Sequence, residues 1–182
     1  MKKLLIKIVL FLVLSVNVYA ENLKFTKIVS LDKPWGSSFI SDNEMIITEK
    51  SGKIKIINIK NGNVIKVNHN LNFLESGQGG LLDIIYKDNY LWVSYTENRG
   101  NSETSTSIAK GKFNRDKIDF KNIFQANPPI DSGYHFGSRL AIKDNYIFAS
   151  VGERGQGMIA QDPTQHPGSI IRIHLDGSIP KD

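Results

Sequence analysis

Lys87-Asp88-Asn89-Tyr90-Leu91-Trp92-Val93-Ser94-Tyr95-Thr96-Glu97 has a second copy 56 residues further along the chain, in Lys143-Asp144-Asn145-Tyr146-Ile147-Phe148-Ala149-Ser150-Val151-Gly152-Glu153. Each copy consists of a polar turn, an apolar strand pattern and a terminal carboxylate. A shorter copy, Asp42–Glu49, lies 46 residues before the first. Repeats of about 40–50 residues are typical of β-propeller blades. The spacing therefore predicts an all-β chain folded as a propeller.

The rest of the chain supports an all-β fold. Helical periodicity is almost absent after Ala20, and short apolar runs are separated by Gly, Asn, Asp and Lys. Residues 53–56 alternate between Lys and Ile and lead to the turn at residues 60–63, which predicts a hairpin. Residues 171–175 alternate in the same way. The polar stretch 102–107 predicts a long hairpin loop, because an alternating strand pattern follows it directly.

The number of repeats does not complete a ring. Closed propellers use about 4–8 four-stranded blades, whereas at 46 to 56 residues per unit the chain holds about three. An arc of three blades leaves exposed sheet edges, which ring closure removes. We therefore expect residues 21–182 to be the N-terminal portion of a longer propeller domain.

The first 20 residues have the pattern of a secretory signal peptide. Lys2, Lys3 and Lys7 precede the apolar run 8–14, and small residues occupy the cleavage-type positions ending at Ala20. The apolar run is well short of the roughly 20 residues that span a bilayer, which argues against a stable membrane anchor. The sequence predicts an exported protein, periplasmic or secreted, that begins at Glu21 after cleavage.

Charge and cysteine content argue against nucleic-acid binding and exclude sites that need cysteine. The chain has 23 Lys and Arg residues and 18 Asp and Glu residues, and three of the lysines belong to the predicted signal peptide. No basic cluster remains that could follow a phosphate backbone, so nucleic acid is not an expected partner. The absence of cysteine excludes disulfides and thiolate metal sites.

His135 is the first candidate for chemistry. It lies directly before a repeat strand, where propeller loops reach the mouth of the central channel. A histidine at such a place can act as a general base, because imidazole has an unperturbed pKa near ~6.5. The alternative is a structural histidine that caps a turn.

Gln78 and Arg139 are candidate binding residues. Glycines on both sides of Gln78 permit close approach of the backbone to a ligand, and its amide can donate to and accept from a hydroxyl; a plain glycine-rich turn is the alternative. Arg139 can bind a carboxylate ligand through two hydrogen bonds. It can equally pair with a neighbouring acidic side chain.

Three glutamates, Glu49, Glu97 and Glu153, are expected to end the three repeat strands at matching positions. If the strand ends converge, the carboxylates could hold a hard cation such as calcium. They could instead accept backbone N–H bonds in local loops. The segment 152–157 has glycine spacing that matches a dinucleotide loop only loosely, and it predicts no NAD site.

The chain closely resembles the pyrroloquinoline quinone (PQQ)-dependent aldose sugar dehydrogenases, the soluble glucose and sorbosone dehydrogenase group. The matching segments follow the order of the family over nearly the whole mature chain: Pro34-Trp35-Gly36, Thr48-Glu49-Lys50-Ser51-Gly52, Gly77-Gln78-Gly79-Gly80-Leu81-Leu82-Asp83, Ser94-Tyr95-Thr96-Glu97, His135-Phe136-Gly137-Ser138-Arg139-Leu140, Gly152-Glu153, Ala160-Gln161-Asp162 and Asp176-Gly177-Ser178-Ile179-Pro180. One departure is Ser138, which stands where a second glycine is common.

The resemblance implies a six-bladed propeller with the quinone over the channel mouth. The family histidine that matches His135 takes a proton from the anomeric hydroxyl of an aldose while hydride passes to the quinone and a lactone forms. The resemblance places Gln78 in the pocket for substrate and cofactor, and Glu153 near it. It also implies an external electron acceptor, and it implies quinone contacts and most calcium ligands beyond residue 182. Residues 21–182 alone are therefore expected to be inactive.

Two other functions remain open at the level of sequence. One is a non-catalytic exported propeller that binds sugar or a protein, because one scaffold hosts unrelated functions. The other is a calcium-dependent, lactonase-like hydrolase that uses Glu49 and Glu153 around a metal. The first predicts binding without turnover, and the second predicts lactone hydrolysis without quinone.

Overall fold

The computed structural model describes residues 23–181, so the predicted signal peptide lies outside the described residues. The strands in chain order are β1 (Pro34–Ser41), β2 (Glu44–Glu49), β3 (Lys53–Asn58), β4 (Val64–His69), β5 (Leu81–Lys87), β6 (Tyr90–Gly100), β7 (Glu103–Lys112), β8 (Lys117–Ile118), β9 (Lys121–Gln125), β10 (Gly137–Lys143), β11 (Tyr146–Val151) and β12 (Ser169–His174). A 3-10 turn, Gly157–Gln161, interrupts the segment between β11 and β12. Within residues 23–181 no helix is long and apolar enough to cross a membrane.

The strands form three sheets that correspond to three propeller blades. Blade 1 has the order β1-β2-β3-β4, and the short β8 pairs parallel to the end of β4. Blade 2 has the order β5-β6-β7-β9, and blade 3 has the order β10-β11-β12. Strand β5 packs against β1 and β2 of blade 1 and against β10 of blade 3. The predicted all-β arc of about three blades is confirmed.

The hydrophobic cores lie between the blades. In β6, Leu91 and Val93 belong to the cluster shared with blade 1, whereas Trp92 belongs to the cluster shared with blade 3. Successive side chains of a strand point to opposite faces, so a blade packed on both sides needs apolar residues at consecutive positions. This requirement explains why the repeated stretch is continuously apolar rather than alternating.

The innermost strand of every blade has a bulge at the same point. Register shifts occur between Pro34 and Ser37 in β1, between Leu81 and Ile84 in β5, and between Gly137 and Leu140 in β10. Because Pro34, Leu81 and Gly137 are equivalent, their partners Glu49, Tyr95 and Val151 are also equivalent. The expectation that Glu49 matches Glu97 and Glu153 is therefore wrong by two residues.

The polar stretch predicted as a loop is mostly strand. Only Ser102 lies in the two-residue turn after Gly100, and β7 begins at Glu103. Thr104, Thr106 and Ser107 are buried there, and their hydroxyls bond Ile130 O, Phe136 O and Glu97. Buried hydroxyls are tolerated when they are hydrogen-bonded. This polar strand lies beneath the loop that carries His135.

Candidate active site

His135, Gln78 and Glu153 meet at the mouth, which is the end of the sheets where β1, β5 and β10 begin. The main-chain N–H of His135 donates to Gln78 Oε1 over 2.9 Å. The imidazole Nδ1 of His135 is hydrogen-bonded to Glu153 Oε1. Three of the four residues selected from the sequence are thus in direct contact, although Gln78 and His135 are 57 positions apart.

The contact with Glu153 determines which nitrogen of His135 is available. The hydrogen bond from His135 is the largest of the effects that hold the pKa of the Glu153 carboxyl below its ordinary value, and a backbone N–H bond from Gly155 adds to it. An ionised carboxylate only accepts, so Nδ1 is the donor, and in the neutral imidazole the lone pair then lies on Nε2. The His135 side chain is 52% exposed, so Nε2 can reach a bound molecule.

The backbone around His135 is packed very closely. A Cβ atom added to Gly152 would lie 1.8 Å from the carbonyl oxygen of His135, so only glycine fits there. His135 itself has φ of 48°, in the left-handed region that non-glycine residues rarely adopt. Strain of this kind costs about 1–3 kcal/mol and is commonly found at functional sites.

A cavity of about 380 Å³ opens beside these residues. It is lined by Trp35, Lys50, Gln78, Leu82, His135, Phe136 and Gly137. Trp35 in β1 and Lys50 after β2 belong to blade 1, whereas Leu82 lies in β5 of blade 2 and Gly137 in β10 of blade 3. All three blades therefore contribute to the cavity. The Lys50 ammonium donates to the Gly77 carbonyl, next to Gln78. Trp35 and Lys50 lie within the segments quoted for the family resemblance, but no role was predicted for either.

Arg139 does not line this cavity. Its Nη1 donates to Asp83 Oδ1 over 3.0 Å, and its guanidinium lies 4.4 Å from the centre of the Trp35 ring. Asp83 is buried and also accepts the N–H of Leu140 over 2.8 Å. Of the two roles considered for Arg139, the structure shows the acidic pair, while most of the side chain stays exposed. Through these contacts Arg139 joins the three blades at the mouth.

The three glutamates do not form a common site. Glu49 is fully buried and accepts the Lys55 ammonium over 2.6 Å. Glu97 accepts Ser107, Asn122 and Gln125. Among residues 23–181, no group of three or more His, Asp or Glu side chains is arranged to hold a metal ion. Glu49 also accepts the N–H of Asp32, and Glu153 accepts that of Gly155, as the alternative of backbone N–H acceptors predicted. Glu97 differs, because Ser107, Asn122 and Gln125 all donate through their side chains.

Sequence reasoning missed Arg154, which lies next to Glu153 in the chain. Its side chain is 2% exposed, and its guanidinium donates to the main chain of the loop that contains His135. In the sequence it stood only within the loose match to a dinucleotide loop. A buried arginine cannot be recognised from a single sequence, because arginine is almost always exposed.

Comparison with known proteins places this geometry in a family. A family model described as glucose / sorbosone dehydrogenase matches residues 31–182. Aldose sugar dehydrogenase YliI of Escherichia coli (strain K12) is 32% identical over 162 residues, which cover 84% of this chain and 44% of that protein. Quinoprotein glucose dehydrogenase B of Acinetobacter calcoaceticus is 28% identical over 199 residues, which cover 90% of this chain and 41% of that protein.

A solved structure agrees with these matches. The soluble aldose sugar dehydrogenase of Escherichia coli, crystallised in the apo-form, has a TM-score of 0.79 and 31% sequence identity, and the alignment covers 84% of this chain and 47% of that one. The chain thus spans less than half the length of the curated relatives. The family model covers most of the chain. The chain belongs to the glucose/sorbosone dehydrogenase family.

Proposed function

We propose that the complete protein oxidises the anomeric carbon of aldoses to lactones with a bound quinone, PQQ, as the hydride acceptor. The observation that carries the proposal is that His135, which lines the cavity together with Gln78, is hydrogen-bonded through Nδ1 to Glu153. Membership of the family, and a relative named as a quinoprotein, support the choice of cofactor.

The chemistry assigned to this chain is proton transfer. With Nδ1 donating to Glu153, the lone pair on Nε2 of His135 accepts the proton of the anomeric hydroxyl. The C1–H bond breaks with its electron pair, and the carbonyl of the lactone forms between C1 and O1. Bound PQQ would supply the acceptor for the hydride that leaves C1. The Glu153 carboxylate stabilises the imidazolium that results and holds the ring orientation, and Gln78 fixes the His135 backbone.

Two cationic side chains at the mouth suit an anionic cofactor. Lys50 offers an ammonium group at the cavity wall, and Arg139, which lies outside the cavity lining, offers an exposed guanidinium that stacks on Trp35. Cationic side chains of these kinds bind carboxylates, and arginine does so through two parallel bonds. We therefore assign Lys50 and Arg139 as contacts to the quinone carboxylates. Calcium remains a prediction, with most of its ligands expected beyond residue 182.

We further propose that the protein works after export. Cleavage after Ala20 would release a periplasmic or secreted enzyme, which passes its electrons to an external acceptor. Sizing of the protein from culture fractions, with N-terminal sequencing, tests this proposal. An N-terminus at Met1 in the mature protein would contradict it.

Dye-coupled oxidation tests the proposed reaction. The protein from the complete reading frame is loaded with PQQ and calcium, and dye reduction is measured with a panel of aldoses. The variant His135→Asn is expected to lose about 10²–10⁴-fold in kcat, because the general base is removed. His174→Asn is the matched control, since His174 lies on β12 and stacks on Tyr146. Equal activity of the two variants would contradict the role of His135.

The same protein separates the two other functions. A binding propeller would bind sugar, measured by calorimetry, with no dye reduction under any loading. A lactonase-like hydrolase would open a lactone in the absence of quinone. Either result would replace the oxidation proposed here.

A further inference from the structure

Arg154 is a buried cation whose hydrogen bonds go to neutral groups. Its Nε donates to Tyr134 O over 2.9 Å, Nη1 to Thr104 O over 3.0 Å, and Nη2 to Thr104 Oγ1 over 2.7 Å. Nη2 also donates to Ser132 O. The guanidinium carbon lies 3.7 Å from the centre of the Phe136 ring. No carboxylate forms an ion pair with Arg154 among the residues that the structure describes.

Burying this charge is expensive, so the arrangement needs a reason. A buried guanidinium loses its hydration, and only complete hydrogen bonding and contact with an aromatic face offset the loss. Burial lowers the pKa of Arg154 to about 10, and the group therefore remains a cation at neutral pH. A core position without function is normally filled by an apolar side chain, which is as stable or more stable.

The bonds of Arg154 converge on one loop. Ser132 and Tyr134 supply carbonyls from the segment that leads to His135, and Phe136 follows directly after it. The other hydrogen-bond partner of the guanidinium, Thr104, is held in place by the sheet, because its main chain exchanges two hydrogen bonds of 3.1 and 3.0 Å with Ile130. Arginine suits this task because its planar fork presents five donors in fixed directions, whereas lysine presents a single flexible ammonium.

Glu153 and Arg154 therefore hold the same loop at two points. Glu153 bonds the imidazole ring of His135, and Arg154 bonds the main chain on its N-terminal side. The N–H of Arg154 also donates to His135 O over 3.4 Å. We propose that Arg154 is a positioning residue, which keeps the strained loop 132–136 in the one conformation in which Nδ1 of His135 donates to Glu153. The inference deepens the proposed function, since it rests on His135 as the base.

The tautomer of His135 provides a test that does not require turnover. Histidine nitrogens of the complete protein are labelled with ¹⁵N, and their chemical shifts distinguish Nδ1–H from the Nε2–H form. The variants are Arg154→Met, which removes all donors, and Arg154→Lys, which keeps the charge. In Arg154→Met the ratio of Nδ1–H to Nε2–H is expected to fall roughly tenfold, the effect of losing one charge-assisted hydrogen bond. The ratio of Nδ1–H to Nε2–H in Arg154→Lys should lie between those of the wild type and Arg154→Met.

A matched control and a double variant decide what the change means. Arg115→Met removes an exposed arginine that pairs with Glu44, and it should leave the ratio unchanged. Glu153→Ala should lower the ratio by itself, and adding Arg154→Met should change it no further. A wild-type ratio in both Arg154 variants would overturn the proposal. So would a fall that Arg115→Met reproduces.

Kinetics separate this inference from the proposed function. With aldose oxidation established, Arg154→Lys should lower kcat about tenfold with little change in KM, because base and sugar misalign while the cavity persists. If the wild type oxidises no aldose, the proposed function fails, and the tautomer ratios still decide the role of Arg154. Should both variants fail to fold, exchange of the Arg154 Nε–H in the wild type is measured, and a rate equal to that of Arg115 would overturn the proposal.

Discussion

Gly152 and Glu153 are adjacent residues that both act on His135. Gly152 leaves room for the His135 carbonyl, and Glu153 bonds the ring of the same residue. Neither contact is visible in the sequence, where the pair simply ends a strand. A methyl group at residue 152 would displace the His135 carbonyl, and a proton on the Glu153 carboxylate would weaken its hydrogen bond with the His135 ring.

We expect Gly152→Ala to damage the site more than the fold. The new methyl would lie 1.8 Å from His135 O, so the loop must move, at a cost of about 1–3 kcal/mol in unfolding free energy. The kcat of aldose oxidation by the complete protein should then fall at least as far as the loss of folded protein alone would lower it. Gly100→Ala is the control, because an added Cβ there meets nothing within 4 Å and only its φ of 85° is unfavourable. Thermal unfolding and kcat of both variants are compared; equal kcat values would contradict the role of Gly152.

Acidification should selectively weaken the Glu153 contact. The pKa of Glu153 is lowered in the folded protein, first by the hydrogen bond with His135, so its stabilisation is complete above the ordinary value of 4.5 and is lost as pH falls through the lower folded value. Glu153→Gln has no carboxylate to protonate. Urea unfolding between about pH 6 and about pH 3 should therefore show the wild type losing more stability than the variant. Parallel curves of unfolding free energy against pH for the wild type and Glu153→Gln would contradict the stabilising role of the Glu153 carboxylate.

Bulges and hydroxyls repeat from blade to blade at the scale of the strands. The bulged residues of β1, β5 and β10 lie opposite Thr48, Ser94 and Ser150. Each of these hydroxyls accepts a main-chain N–H from the second bulged residue of its own blade. Those of Thr48 and Ser94 also donate to the first bulged residue of the next blade, at Leu82 O and Ser138 O. The repeated strand pattern therefore links successive blades as well as building each one.

Ser94→Ala should cost more stability than Ser150→Ala in residues 21–182. Ser94 Oγ is buried and donates to Ser138 O over 2.6 Å, so its loss leaves buried groups unpaired, at about 1–3 kcal/mol. In the complete protein the difference should narrow, because a following blade would offer Ser150 the equivalent carbonyl. Urea unfolding of both variants in both lengths measures this. If the difference in unfolding free energy between Ser94→Ala and Ser150→Ala were the same in both lengths, the proposed hydroxyl link between successive blades would be contradicted.

At the scale of the whole molecule, the arc has a packed centre and two terminal blades. Blade 2 is packed on both faces, whereas blades 1 and 3 each share only one of the two interblade cores among residues 23–181. A propeller closes with at least four blades. The curated relatives are more than twice the length of the matching region.

Residues 21–182 alone are expected not to oxidise aldoses. Under the proposed function, the quinone and calcium contacts expected beyond residue 182 would be missing, and the terminal blades would expose apolar faces that favour self-association. Dye reduction with PQQ and calcium, together with size-exclusion chromatography, tests this on the short chain and on the protein from the complete reading frame. Turnover by a monomer of residues 21–182 would contradict it.

Local pattern was sufficient for the fold, whereas the candidate site residues came largely from the family motifs. Turn residues, apolar runs and a fixed spacing are properties of neighbouring positions, and they predicted the strands, the hairpin at residues 60–63 and the number of blades. The family motifs selected Gln78, His135 and Glu153, which the structure brings into contact. The stretch 102–107 was assigned wrongly, because its hydroxyls find partners only in distant segments.

Sequence alone determined that this chain is a β-propeller arc, because strand periodicity and repeat length are encoded locally. Tertiary structure alone decided that Arg139 pairs with Asp83, that the three glutamates stay apart, and that Arg154 holds the His135 loop. These outcomes depend on burial and on contacts between positions up to 56 residues apart. A buried charge is explained only by the groups around it, and those groups come together only when the blades pack.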